Sequence, residues 1–378
     1  MNILIVTSWY PNDISMVNGI FVKEHAQALQ SAGTNVVVFY PYDKTVKVGE
    51  LLFNVENNIP TYRANTDYGS NSKLSLLNSF FKGRAILDQI VEKNNIDIIN
   101  AHVCYPAGIL SALYYKKRKL AYVITEHRSS MREFSKKIYN RVLFKFAYGN
   151  AKKVITVSNY LKEELISLGY KFKGQVIGNT VDVESFKPSS HHRDDNQFRI
   201  LFVGSMGDNE VKGLNYFIPA LSSFIKLNQQ YKITATFVGE GSQKEKYIEM
   251  VKNEGIEENC TFTGNIKKEE VATYMAKCDF LVLPSKKETF GAVLIEAMAS
   301  GKPVLCTRCS GPQEFINDQV GVLVDPCSTS ELERGLTKIT SNYSKFNPDY
   351  IRQYAIDNFG HTAVGNKVKE ALASVLEK

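Results

Sequence analysis

The sequence predicts an α/β chain of two doubly wound domains, and three observations predict it. Short apolar runs alternate with helical patterns over residues 3–177; polar residues 187–197 interrupt the alternation; and it restarts at residue 199 and continues to residue 324. Alternation of this kind implies parallel sheets with helices on both faces. In order, residues 3–7 read as a strand, 19–32 as a helix, 35–40 as a strand, 74–93 as a helix and 97–101 as a strand. Further strands are expected at 121–125, 153–157 and 175–177. The second series places strands at 199–203, 233–238, 260–263, 280–283, 303–306 and 321–324, with helices between. The boundary is expected at residues 187/188, and a last helix over 359–378 is expected to pack back on the first domain. Ligands of such sheets bind outside the carboxyl ends of the strands, so a cleft between the two domains is the expected site.

Composition narrows the class. With 378 residues, 44% hydrophobic and 22% charged, the chain is long enough for two ordinary cores and too apolar for disorder. The apolar run at residues 3–6 is short for a signal-peptide core and has no basic leader, and no stretch approaches eighteen apolar residues, so a cytoplasmic location is expected. The six cysteines scatter through apparent strands and helices, which fits reduced core thiols. Cys306 and Cys309 form a C-x-x-C without the second pair that a zinc site needs. His191 and His192 fall in the polar break and read as solvated linker.

Charge is uneven. Residues 1–190 carry 24 Lys/Arg against 15 Asp/Glu, whereas the remainder carries 22 against 24. The surplus concentrates at Lys116, Lys117, Arg118 and Lys119 and over residues 135–148. There Lys137, Arg141 and Lys145 recur every four residues, with Ile138, Val142, Leu143 and Phe146 largely on another face. Two readings fit: a helix docked on the sheet with its lysines outward, or contact with an anionic membrane surface. No nucleic-acid module accompanies the charge, so nucleic acid is not an expected partner.

Residues 287–296, KETFGAVLIE, are the most specific stretch. Glu288 and Glu296 enclose seven residues and lie between an apolar run ended by Pro284 and an Ala-rich helix that stops at Gly301. The order is strand, loop, helix. Glu288 falls in the loop and Glu296 just over one turn into the helix, while the amides of residues 289–293 surround the helix start. Free N–H groups and the positive end of the dipole favour phosphate there. Carboxylates offer only acceptors, so beside a phosphate their natural partners are sugar or ribose hydroxyls; the spacing alone also fits two solvated glutamates.

Other motifs end strands on the same edges. Lys212-Gly213 follows Phe202-Val203-Gly204-Ser205 and places a cation near a helix start, as a diphosphate contact or an exposed lysine. Gly239, Gly241 and Gly264 sit in strand-end loops that could wall a nucleobase, with Ile266 just beyond. Trp9-Tyr10-Pro11 and Asn18-Gly19-Ile20-Phe21 follow the first strand, and Gly19 permits close backbone approach to a phosphate. His102 and His127 end two strands, where each is either a satisfied structural residue or a donor to a substrate. The polar Glu126, Arg128, Ser129 and Ser130 around His127 favour it for the reacting sugar. No G-x-G-x-x-G, Walker A or G-x-S-x-G is present.

Taken in order, Asn18-Gly19-Ile20-Phe21, Thr125-Glu126-His127, Phe202-Val203-Gly204, Lys212-Gly213, Phe237-Val238-Gly239-Glu240-Gly241 and Glu288 to Glu296 make the chain resemble the retaining glycosyltransferases of family 4. So do Ala299-Ser300-Gly301-Lys302-Pro303-Val304 and Ser310-Gly311-Pro312-Gln313-Glu314. The resemblance covers almost the whole length. It implies the GT-B fold, two Rossmann-like domains facing a cleft, and transfer of a hexosyl unit from a UDP- or GDP-sugar with retention. By it, Glu288 meets donor-sugar hydroxyls, Glu296 the ribose, Lys212 the diphosphate and His127 the transferring sugar. Gly19, Ser205, Gly264, Ile266, Phe290, Gly291, Ala292 and Val293 complete the donor site, and His102 and Arg128 face the acceptor. The family pattern has Arg where this chain has Ser205, and paired glycines where it has Asn18-Gly19. No D-x-D occurs, so neither a metal nor another cofactor is implied. The implied partners are a nucleotide sugar and a glycan or lipid-linked acceptor of surface polysaccharide assembly. Alternatives within the resemblance are a silent sugar-nucleotide-binding scaffold and an epimerase or phosphorylase.

Overall fold

The structure, a computed structural model, describes residues 1–15, 17–66, 73–129, 131–189, 194–207 and 210–377; for 73–77 it describes the backbone only. His191, His192 and Ser130 lie outside the described residues. The chain forms two compact units, Met1–Thr180 with His361–Lys378, and Val181–Gly360.

In the first unit the strands are β1 (Asn2–Thr7), β2 (Asn35–Tyr40), β3 (Leu51–Glu56), β4 (Ile59–Ala64), β5 (Ile98–His102), β6 (Tyr122–Glu126), β7 (Lys153–Thr156) and β8 (Gly174–Val176). Between them run α1 (Ile20–Ser31), α2 (Lys73–Lys93), α3 (Ile109–Arg118), α4 (Met131–Ser135), α5 (Ile138–Asn150) and α6 (Asn159–Ser167). The sheet order is β3-β4-β2-β1-β5-β6-β7-β8, parallel except for β3 against β4. Ile3, Leu4, Ile5 and Val6 of β1 are all fully buried, as a central parallel strand covered on both faces requires.

The antiparallel hairpin was not expected from the sequence. Asn57 and Asn58 turn it with φ of 50° and 63°, the pair of positive values that a two-residue hairpin turn demands. Its outer strand leaves Leu52, Phe53 and Val55 exposed, so the burial alternation that reveals a strand is missing there.

A second correction concerns the basic segment. Residues 135–148 are not one helix: α4 ends at Ser135, and α5 starts at Ile138 with Lys137 as its N-cap. Nor does the expected apolar face point inward. Asn140, Phe144, Ala147 and Tyr148 are buried, at spacings of four, seven and eight, while Ile138 is 72% and Val142 60% exposed.

The second unit contains β9 (Gln197–Val203), α7 (Leu214–Leu227), β10 (Lys232–Val238), α8 (Lys244–Asn253), β11 (Cys260–Gly264), α9 (Lys268–Lys277), β12 (Phe280–Leu283), α10 (Ala292–Ala299), β13 (Val304–Thr307), β14 (Gly321–Val324), α11 (Thr329–Ser341) and α12 (Pro348–Phe359). Its six parallel strands run β11-β10-β9-β12-β13-β14, the doubly wound order in which the chain reverses direction between the first and fourth strands. Phe198, Phe202, Phe217, Phe224 and Phe237 fill the core between β9, β10 and α7.

The last helix, α13 (His361–Leu376), belongs to the first unit. Val364, Val368, Ala371 and Leu372 join the core of β1, β2 and α1. His361 Nε2 lies 2.9 Å from Glu24 Oε2, and Lys369 Nζ donates to the Ala32 carbonyl at 2.8 Å, where a cation suits the C-terminal end of α1.

Candidate functional site

In the second unit, the reversal of strand order opens a gap at the carboxyl ends of β9 and β12, the place where doubly wound sheets bind ligands. The β9–α7 loop carries Ser205 and Lys212, and the β12–α10 loop carries Glu288. Gly213, with φ of 69°, lets these loops touch: a Cβ there would lie 2.0 Å from the Pro284 carbonyl oxygen. The approach brings Lys212 Nζ to 2.5 Å from Glu288 Oε2, with both side chains largely buried, 26% and 17% exposed. Backbone bonds hold the Glu288 segment, its N–H donating to the Cys309 carbonyl and its carbonyl accepting from Gly311.

Beyond Glu288 the chain enters α10. Gly291 is its N-cap and has no side chain to bond the first amides, so those of Ala292 and Val293 face outward from the helix start. Phe290 is 5% exposed, its ring stacked on Phe315 at 5.0 Å, so only its backbone is placed for a ligand. Glu296 is half-buried one turn into α10, on the scaffold that bears Glu288. Ser205 is exposed after β9, Gly264 is buried beneath the Glu240 carboxylate at the end of β11, and Ile266 is half-buried beyond it. These expected donor-site positions gather at the carboxyl edge of one sheet, in its loops, at the end of β11 and in the first turns of α10.

The C-x-x-C is a packing feature. Cys306 and Cys309 are buried, and burial pushes the Cys306 thiol well up and that of Cys309 to about 11, which leaves neither reactive near neutral pH.

In the first unit the corresponding reversal lies between β1 and β5. Gly19, with φ of 73°, caps α1 against the Trp9 backbone, where a Cβ would meet the Trp9 carbonyl carbon and oxygen at 2.4 Å. Phe21, two residues on, lies against the His127 ring with centroids 4.3 Å apart.

His127 and His102 form part of one hydrogen-bonded row. Thr125 Oγ1 donates to Asn100 Oδ1 at 2.8 Å, which leaves the Asn100 amide nitrogen to donate to His102 Nε2 at 3.2 Å. His102 therefore carries its proton on Nδ1 and donates to His127 Nε2 at 3.1 Å; His127 in turn donates from Nδ1 to Asn179 Oδ1 at 3.1 Å. One tautomer of each ring satisfies the whole row. Burial holds both imidazoles well below the ordinary histidine pKa, aided by His25 at each and by His102 at His127, so they are neutral at pH 7. His25 packs edge-on to both rings, and burial lowers its pKa to about 4.

The row corrects one expectation. His102 is fully buried with both ring nitrogens bonded, so it cannot touch an acceptor and instead orients His127. Sequence reasoning missed Asn100, two residues before His102 on β5, and Asn179 and His25, which come to the row from distant segments and carry no local motif. Val103, directly after His102, holds φ of 69°, a strained conformation for a β-branched residue, at the turn that shapes this edge.

Glu126 is fully buried beside the row. Its Oε2 accepts from the Cys104 N–H at 2.9 Å and the Tyr148 hydroxyl at 2.7 Å, and its Oε1 from the N–H groups of His127 and Arg128 at 3.0 and 2.9 Å. Burial, with Cys104 and Glu126 adjacent, pushes Tyr148 well up and keeps it a donor. Four donors thus fix one carboxylate and, through it, the backbone of residues 127 and 128.

Known proteins match both units. The family model for Glycosyltransferase Family 4 matches residues 19–185, and that for Glycosyl transferases group 1 matches residues 183–357. An uncharacterized glycosyltransferase of Methanocaldococcus jannaschii is 31% identical over 268 residues, 71% of each chain. The putative teichuronic acid biosynthesis glycosyltransferase TuaC of Bacillus subtilis is 25% identical over 364 residues, 89% of each. Among solved structures, Anabaena HepE in complex with UDP is similar with a TM-score of 0.77 at 23% identity, covering 99% of this chain and 100% of that one. These matches, spanning both doubly wound units, place the chain in the family 4 glycosyltransferases, with the GT-B fold.

Proposed function

We propose that this glycosyltransferase moves a hexosyl unit from a UDP- or GDP-sugar, with retention at the anomeric carbon, to a hydroxyl of a glycan or lipid-linked acceptor in surface polysaccharide biosynthesis. The observation that carries the donor reading is the Lys212–Glu288 pair at the strand-order reversal, next to the open amides of α10. Lys212 keeps two further N–H donors for a diphosphate while one holds Glu288, and Glu288 keeps an oxygen for a sugar hydroxyl. Glu296 meets the ribose. As the glycosidic bond breaks, charge grows on the β-phosphate, and Lys212 with the α10 amides stabilises it without reorganisation. In this reading no metal is invoked, and the departing phosphate oxygen takes the acceptor proton.

Retention without a double displacement agrees with the first unit. Its carboxylate nearest His127 in sequence, Glu126, is fully buried and accepts four hydrogen bonds, which unfits it as a nucleophile. His127 meets the transferring sugar as a neutral ring: moving its Nδ1–H from Asn179 to a sugar hydroxyl needs no change of protonation.

The acceptor reading draws on TuaC, whose name assigns it to teichuronic acid biosynthesis, and on α5. Exposed Ile138 and Val142 stand one turn apart among exposed Lys136, Lys137, Arg141 and Lys145, as in helices that lie on anionic membranes. Among the described residues no helix is long and apolar enough to cross a membrane. Flotation with anionic liposomes tests the surface: association at low salt that is lost at high salt supports it, and none at low salt contradicts it. Transfer from labelled UDP- and GDP-hexoses, with the product anomer read by NMR, tests the reaction. An inverted product removes the retaining assignment, and absence of any Glu288-dependent turnover favours a binding scaffold.

A further inference from the structure

Arg128, next to His127, is held in an unusual way. Its guanidinium carbon lies 4.5 Å from the Trp9 ring centroid and 4.2 Å from that of Phe134. The cation thus contacts one aromatic ring from the β1–α1 loop and another from α4. Nη2 donates to the Tyr105 carbonyl at 3.1 Å, and Nε is buried with no hydrogen-bond partner among the described residues. No carboxylate among the described residues is ion-paired with it. Glu126, two residues earlier, would be the natural counter-ion, but its oxygens are occupied by backbone amides and Tyr148.

Aromatic rings hold a guanidinium by cation–π attraction and exclude water from the surface they cover. The N–H groups stay in the guanidinium plane, in the fork that matches carboxylate and phosphate oxygens. A half-buried cation with an orphaned Nε and no counter-ion is incomplete without an anion. Trp9 and Arg128 project from the ends of β1 and β6, the edge that also carries His127. We propose, building on the glycosyltransfer reading above, that Arg128 is the specificity-determining contact for an anionic group on the acceptor. The acceptor is then a carboxylate- or phosphate-bearing glycan, and neutral sugars are discriminated against.

Trp9 is the single tryptophan of the chain, so its fluorescence reports directly on this site. Full-length protein saturated with UDP is titrated with methyl β-glucuronide, glucose 6-phosphate and methyl β-glucoside at matched ionic strength. Saturable Trp9 changes are expected with at least one anionic probe, at a Kd tenfold or more below that of the neutral glucoside. Which anion wins assigns the group as uronate or phosphate. Arg128→Gln is expected to abolish the discrimination and Arg128→Lys to retain only part of it, since an ammonium lacks the planar fork. Equal affinity for neutral and anionic probes, no saturable response to either anion, or discrimination that survives in Arg128→Gln overturns the proposal. Thermal stabilisation by UDP- and GDP-sugars, measured on the same preparations, verifies that the variants fold. It also tests the donor reading separately, since that reading fails if none stabilises while an anion preference at Arg128 still stands.

Discussion

Lys212 and Glu288, 76 residues apart in sequence, meet at 2.5 Å because β9 and β12 are neighbours in the sheet and Gly213 lets their loops touch. In the function proposed above, the pair would couple the two halves of the donor, with Lys212 toward the diphosphate and Glu288 toward the sugar. Each also sets the other's free-state energy, since removing one leaves the second partly buried and uncompensated.

Glu288→Gln and Lys212→Ala should therefore fail differently. Glu288→Gln frees Lys212 for phosphate, so UDP affinity stays level or tightens a few-fold, while transfer falls about 100-fold, in the range set by loss of a transition-state contact. Lys212→Ala should weaken UDP about tenfold or more, the scale of a charge-assisted bond of about 1.5–3 kcal/mol. Calorimetry with UDP alongside transfer rates separates them; parallel losses of affinity in both variants would remove the division of labour.

Ser205 sits exposed where the family pattern has Arg. Ser205→Arg should strengthen UDP binding several-fold and steepen its salt dependence, because a second cation joins Lys212 near the diphosphate. Unchanged affinity with an unchanged salt slope would place residue 205 away from the phosphates.

Gly213→Ala tests the loop contact. A methyl 2.0 Å from the Pro284 oxygen at φ of 69° must displace one loop, at a cost of about 2 kcal/mol or more. The urea midpoint should fall and UDP affinity with it. A variant within about 0.5 kcal/mol of wild type would show that the loops part freely.

The three neutral histidines give the fold an acid sensitivity. His25, His102 and His127 have pKa values lowered by burial in the folded state, His25 to about 4, against about 6.5 unfolded. Above pH 6.5 both states are neutral and the histidines add no slope. As pH falls below 6.5 the unfolded chain takes up protons that the native chain refuses, so stability drops by up to about 1.4 kcal/mol per pH unit for each ring. Denaturation midpoints from pH 7.5 to 5 check this, and His25→Asn should flatten the slope. A flat profile across that range would mean that the rings are protonated in the native state.

Much of this was legible in the sequence because strands buried on both faces are continuous apolar runs: 35–40, 280–283 and 321–324 begin and end in the structure where hydropathy places them. Lys212 and Glu288 were separately visible, each after a strand. Their contact was not, because it depends on the strand order of the sheet. The β3–β4 hairpin escaped because its outer strand buries little, although Asn57-Asn58 marked the turn. The face of α5 was misread because buried Asn140 and exposed Ile138 reverse the usual polarity. His102 and His127 were found as strand ends, but Asn179, 52 residues beyond His127, carries no signal that predicts a hydrogen bond to it.

The most direct test of the donor site is a thermal-shift screen of UDP-, GDP- and ADP-sugars against the wild type and Glu296→Ala. The expected result is concentration-dependent stabilisation by one nucleotide series, UDP or GDP, largely lost in Glu296→Ala, as loss of a native-state ligand requires. Stabilisation by none of the three series, or an equal shift in the variant, would contradict the assignment of the Lys212, Glu288 and Glu296 edge as the nucleotide-sugar site.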